Sequence, residues 1–194
     1  MAKLHFYYGT MGAGKSTSLL LMNYNYRKAG FKPLVIKPQI DIRDGKFDEK
    51  TGWGIIQSRI INDETPALYV RDFNYHSFDN CDYNVLLVDE AQFMSQEQIY
   101  QLSEIVDKKN IPVICFGLKT DINGNLFEGA AKLLAIADHI EELKYVCDCG
   151  AKTVMHLRYV NNILDKGGDS VALEIGNITY KSVCRKCWKK EMEK

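Results

Sequence analysis

The octet Gly9-Thr10-Met11-Gly12-Ala13-Gly14-Lys15-Ser16 narrows what this chain can fold into more than any other feature. An apolar, aromatic run of strand length, Leu4 to Tyr8, leads into it. The stretch from Lys15 to Lys28 follows, carrying Leu19, Leu20, Met22 and Tyr26 with no glycine or proline inside. A strand that turns on glycines into a helix aims several backbone N–H groups at one spot, reinforced by the positive end of the helix. Such a spot holds phosphate. The spacing is G-x-x-x-x-G-K-[ST] in full, in which the lysine reaches the β- and γ-phosphates and the Ser16 hydroxyl meets Mg²⁺. A glycine-rich turn with an accidental Lys-Ser pair would lack the strand before it and the helix after it. ATP with Mg²⁺ is therefore the expected ligand of Gly9 to Ser16.

Further apolar runs at Pro33 to Lys37, Tyr83 to Val88 and Ile111 to Phe116 have the length and continuity of strands buried on both faces. Between the last two, Ser95 and Gln98 form a capping box ahead of Ile99, Leu102, Ile105 and Val106 at helical spacing. Residues 39–80 show little period apart from GIIQSRII, a short strand candidate. Buried strands alternating with helices predict a P-loop NTPase fold of the RecA-like kind, a parallel sheet flanked by helices, over residues 1–138. Residues 139–194 read as a separate small unit. There the alternation in His139 to Tyr145 and Val154 to Tyr159 predicts an antiparallel piece, and the polar, glycine-rich NNILDKGGDS a mobile loop.

With 46% hydrophobic residues in 194, the chain can bury one core with a small appendage. Lysine plus arginine balances aspartate plus glutamate at 25 each, so the broad positive field of a duplex-binding protein is missing. No apolar run approaches the roughly 20 residues that span a bilayer. The first ten residues meet the glycine loop at once, leaving no room for a secretory leader. The expectation is a cytoplasmic protein without membrane or nucleic-acid partners.

Val85-Leu86-Leu87-Val88-Asp89 has the form of a Walker B strand, delivering the Asp89 carboxylate beside Mg²⁺. Glu90 follows directly and is placed to accept a proton from an attacking hydroxyl. Two classes share such a pair. A small-molecule kinase uses the second acid on a substrate hydroxyl, and an ATPase acting on nucleic acid uses it on water.

Of six cysteines, Cys81 and Cys115 stand alone, while Cys147 with Cys149 and Cys184 with Cys187 form two tight pairs. Four thiolates suit tetrahedral Zn²⁺ with no open position, hence a structural site. A redox pair or unligated thiols stay open as the alternatives, since the C-x-C spacing is one residue tighter than the usual knuckle. The four histidines, His5, His76, His139 and His156, form no ligand pattern and read as structural or solvated.

In order along the chain, GTMGAGKS, KPQIDIRDG, QSRI, LLVDEAQF, CFGLKTDINGNLF and the terminal SVCRKC resemble the thymidine kinase family, which carries a zinc-bearing lasso domain. The resemblance implies that Glu90 is the base for the sugar 5′-hydroxyl and that Arg43, with Asp41 beside it, approaches the transferring phosphate. It implies that Phe93 and Phe127 flank the nucleoside, that Leu118 and Thr120 line the same pocket, and that Tyr180 lies near the sugar. The base would be read by main-chain groups around Ala172, Leu173, Glu174, Ile175 and Gly176. In this chain Ile175-Gly176-Asn177-Ile178-Thr179-Tyr180 is one residue shorter than the family's usual I-G-G segment, with its second glycine replaced. Thymidine as substrate, dTTP as feedback inhibitor and a tetramer also follow from the resemblance alone.

Overall fold

The computed structural model describes residues 1–39, 48, 50–57, 64–71, 73–79, 81–166 and 177–194. Asp41, Arg43 and Ala172 to Gly176 lie outside the described residues, as does the SRII half of GIIQSRII.

Ten strands and four α-helices are described: β1 Leu4–Gly9, α1 Lys15–Lys28, β2 Pro33–Pro38, β3 Trp53–Gln57, β4 Glu64–Val70, β5 Val85–Val88, α2 Gln96–Lys109, β6 Val113–Gly117, α3 Glu128–Ile136, β7 His139–Leu143, β8 Met155–Val160, β9 Ile163–Asp165, β10 Ile178–Val183 and α4 Arg185–Met192. The main sheet has seven strands in the order β3-β4-β2-β5-β6-β1-β7. All its pairings are parallel except β3 with β4. Every residue of β2, β5 and β6 is buried, because helices cover both faces of the sheet. On one face Phe6, Ile36, Leu86, Val88 and Val113 pack under α2 and α3. On the other, Val35, Leu87, Ile114 and Phe116 pack with Leu19 of α1. Helix α2 starts at the expected capping box, with Ser95 and Gln98 each bonded to the other's backbone N–H. In its first turn the Gln96 N–H donates to the Glu128 carboxylate of α3 at 3.1 Å.

Three elements differ from the sequence expectations. Residues 139–143 form β7, parallel to β1 at the edge of the main sheet, and not part of an antiparallel unit. Alternation marks a half-exposed strand but carries no information about its partner's direction. The main sheet therefore runs past the boundary drawn at residue 138. Strand β4 was not expected from a stretch with little period; Pro66, which has no N–H to donate, pairs there with Ile55 of β3, and the pairing to β2 begins at Leu68. The start of the polar segment after Val160 is ordered: Asn161 and Asn162 take positive φ of 51° and 65° and turn β8 tightly into β9.

Beyond β7 the chain forms a second sheet, β10-β8-β9, antiparallel throughout. Its small core joins Leu157 and Val183 to Cys147 and Cys184, with Trp188 and Met192 of α4 packed against it. Among the described residues no helix is long and apolar enough to cross a membrane.

Candidate active site and thiol cluster

Ligands of open parallel sheets bind at the carboxyl ends of the strands. The motif residues of this chain meet there. Gly9 ends β1, Asp89 follows β5, and Leu118 follows β6, the strand between the other two. Gly12 and Gly14 take φ of 82° and 81°, the left-handed region open to glycine at little cost. Gly14 caps α1 in that conformation, so the octet curls as its spacing requires. The buried Lys15 ammonium donates to the carbonyls of Gly9 and Thr10 at 3.3 and 3.1 Å, which holds the cation over the loop. Ser16 sits half-buried in the first turn of α1.

Asp89 is buried at the end of β5, its N–H bonded to the Ile36 carbonyl of the neighbouring strand. Glu90 then adopts a left-handed conformation, φ 50° and ψ 38°. A residue with a Cβ adopts this at a cost of about 1–2 kcal/mol, and such strain gathers where a side chain must be aimed. The aim is supported from below. Buried Gln92 donates from Nε2 to Glu90 Oε2 at 2.5 Å and accepts from the Leu118 N–H at 2.9 Å. A Cβ at Gly117 would lie 2.6 Å from Gln92 Oε1, so only glycine leaves room for that bridge. Gly129 does the same for the next turn, where a Cβ would sit 2.6 Å from the Ala91 and Met94 carbonyl oxygens.

Phe93 and Phe127 meet edge to face, ring centroids 5.6 Å apart at 74°. Phe93 ends the short 3-10 turn that starts after Glu90, and Phe127 directly precedes α3, so the ring contact joins these two segments. Leu118 and Thr120 are buried on the segment that leaves β6 and returns to Phe127, closed by the Thr120–Leu126 bridge. Tyr180 lies on β10 opposite Arg158. The two-residue period of a strand puts it on the same face as Ser182.

That face touches the glycine loop. His156 Nε2 accepts from the Met11 N–H at 3.0 Å, and Ser182 Oγ donates to the Met11 carbonyl at 2.7 Å. Thr153 donates to the Tyr145 carbonyl at 3.0 Å and so accepts from the Thr10 hydroxyl at 2.7 Å. Burial, then the charge of Lys15, lowers the His156 pKa to about 4, which keeps Nε2 an acceptor at neutral pH. His156, Thr153, Ser182 and Gln92 were not legible as site residues. No spacing motif marks a hydrogen bond made across 145 positions of chain.

The four paired cysteines converge, their sulfurs all within 4.8 Å of one another. Zn–S bonds of about 2.3 Å in a tetrahedron put sulfurs about 3.8 Å apart. Cys149 and Cys184 are already at 3.6 Å. The amides of Cys149 and Cys184 lower the Cys147 pKa to about 7, favouring thiolate. The neighbouring sulfurs, Cys149 first, push Cys187 up to about 12. The donor set fits a divalent, thiophilic metal that would relieve this crowding. By contrast Cys115 is fully buried, its pKa raised by desolvation, and serves as core.

A sequence model of the family described as thymidine kinase matches residues 2–188. The thymidine kinase of Haemophilus influenzae (strain 86-028NP) is 44% identical over 194 residues, covering 98% of each chain. That of Enterobacteria phage T4 is 44% identical over 190 residues, covering 97% of this chain and 96% of its own. That of Photobacterium profundum is 41% identical over 202 residues, covering 99% of each. Among solved structures, the Pif1 helicase of Candida albicans aligns with TM-score 0.43 at 11% identity, over 73% of this chain and 36% of its own.

Proposed function

Because this chain belongs to the thymidine kinase family, we propose that it transfers the γ-phosphate of ATP to the 5′-hydroxyl of thymidine, with Glu90 as general base. The observation that carries this reading is the pairing of a complete phosphate loop with Glu90, aimed in a left-handed conformation by Gln92. Phosphoryl transfer asks a protein mainly for positioning and charge stabilisation. The amides of Gly12 to Ser16 and Lys15 would hold the β- and γ-phosphates. Ser16 and Asp89 would hold Mg²⁺, which when bound neutralises charge developing on the phosphate oxygens. Glu90 would take the 5′-hydroxyl proton as the new O–P bond forms and the bond between the γ-phosphorus and the β–γ bridging oxygen breaks, with ADP as the leaving group. Phe93 and Phe127 would stack beside the nucleoside, with Leu118, Thr120 and Tyr180 completing the walls.

Arg43, Asp41 and the segment Ala172 to Gly176 enter on the family resemblance, as phosphate contact, its neighbour and the base-reading main chain. The unit after the main sheet would close over the nucleoside and exclude water, limiting ATP hydrolysis. Zn²⁺ on Cys147, Cys149, Cys184 and Cys187 would tie that unit together. A cytoplasmic tetramer inhibited by dTTP completes the reading.

Glu90→Gln tests the assignment. Turnover should fall by about 10²–10⁴ while ATP binding persists. Near-normal turnover removes Glu90 from the role. Phosphate release stimulated by DNA, without nucleoside consumption, would replace the kinase reading with the nucleic-acid ATPase.

A further inference from the structure

A residue's backbone N–H and C=O point in different directions, so fixing both fixes its orientation. At Met11 both groups are taken by side chains of one cross-strand pair, His156 of β8 and Ser182 of β10. Side chains directly opposite in an antiparallel pair share a face and stand about 5 Å apart. One pair can therefore reach both polar groups of a single residue. A third bond, Thr10 to Thr153, is buried beside them. On the fourth side, a Cβ on Gly12 would lie 3.3 Å from the Tyr145 ring. The loop is thus gripped over Thr10, Met11 and Gly12, ahead of the residues that begin α1.

We infer that His156 and Ser182 are positioning residues for ATP: they hold Met11 so that the β8–β10 sheet sets the shape of the phosphate loop. The inference rests on the reading of Gly9 to Ser16 as the nucleotide site. It does not depend on which molecule accepts the phosphate. A loop with a loose rim must be ordered when nucleotide binds, and that cost appears in affinity. Neither side chain is asked to touch the reacting atoms. Their loss should weaken ATP while sparing kcat at saturating ATP.

The grip also connects the loop to the thiol cluster through the chain itself. Tyr145 stands two residues before Cys147, and Ser182 two before Cys184. A metal that fixes these cysteines would fix the roots of both contacts.

The test uses the full chain and reads binding of ATP·Mg²⁺ by calorimetry, which needs no phosphate acceptor. Wild-type binding is the control: if it is absent, the nucleotide-site reading itself fails. His156→Ala and Ser182→Ala should each weaken ATP about tenfold and raise KM for ATP by a similar factor, with kcat changed less than threefold. His156→Gln, whose amide oxygen can accept from the Met11 N–H, should restore affinity to within about threefold of wild type. Ser182→Ala removes one hydroxyl from a half-buried strand and keeps the fold intact should His156→Ala fail to fold. Wild-type ATP affinity in folded Ser182→Ala, or no difference between His156→Ala and His156→Gln, overturns the inference.

Discussion

Replacing His156 by glutamine should flatten part of the acid limb of the protein's stability profile. The imidazole is 3% exposed and accepts the Met11 N–H, and its pKa falls from 6.5 to about 4 through burial and Lys15. In the unfolded chain the same group titrates near 6.5. Between these values the unfolded state binds a proton that the native state refuses, so native stability falls as the pH falls. At 1.36 kcal/mol per pKa unit, this one group costs about 2 kcal/mol by pH 5 and about 3 kcal/mol by pH 4. Glutamine keeps an acceptor but cannot titrate. Urea unfolding of both proteins, followed by far-UV circular dichroism at pH 7, 6, 5 and 4, isolates the difference. Other acid-sensitive groups are common to both and cancel, including His5, which burial also lowers. The variant should gain on wild type by about 2–3 kcal/mol between pH 7 and pH 4. Curves separated by a constant amount would mean that His156 is not held neutral in the native state.

Metal analysis should return one Zn²⁺ per chain, with Cys187→Ser losing it; protein purified without chelators yet free of zinc would dismiss the structural site. Gly129→Ala should destabilise by about 1–3 kcal/mol, because its Cβ would meet the Ala91 and Met94 carbonyl oxygens with no flexible side chain to yield. Thermal unfolding measures this, and an unchanged midpoint would show that α3 can shift without cost. The nucleotide dTTP should compete with both ATP and thymidine, its base in the nucleoside pocket and its triphosphate in the loop. Indifference of the steady-state rate to dTTP would remove that mode.

How much could be read from residues alone depended on whether the signal was local. The glycine octet, the capping box at Ser95 and the apolar runs at β2, β5 and β6 each depend on neighbours in sequence, and all appear as expected. Strand β7 was seen, but its partner was not: one exposed face looks the same whether the neighbouring strand runs parallel or antiparallel. Strand β4 lay in a stretch with little apparent period, although Thr65, Ala67 and Tyr69 do alternate inward; Thr65 is polar and Pro66 and Leu68 on the other face are not, which blurs the alternation. The rim of the loop was least legible. His156 read as an ordinary histidine, because only the register of β8 against β10 brings it beside Ser182 and under Met11. Gln92 was hidden differently: it lies inside the DEAQF run, yet its task is visible only once Leu118 of the neighbouring strand's end is in place.

Transfer to the nucleoside is measured directly by incubating the protein with γ-labelled ATP and Mg²⁺ and offering thymidine, deoxyuridine, deoxycytidine and deoxyadenosine separately. Labelled thymidine 5′-monophosphate is expected, with deoxycytidine and deoxyadenosine left unlabelled. Free phosphate with no labelled nucleotide would mean that the γ-phosphate goes to water and that the protein is not a nucleoside kinase.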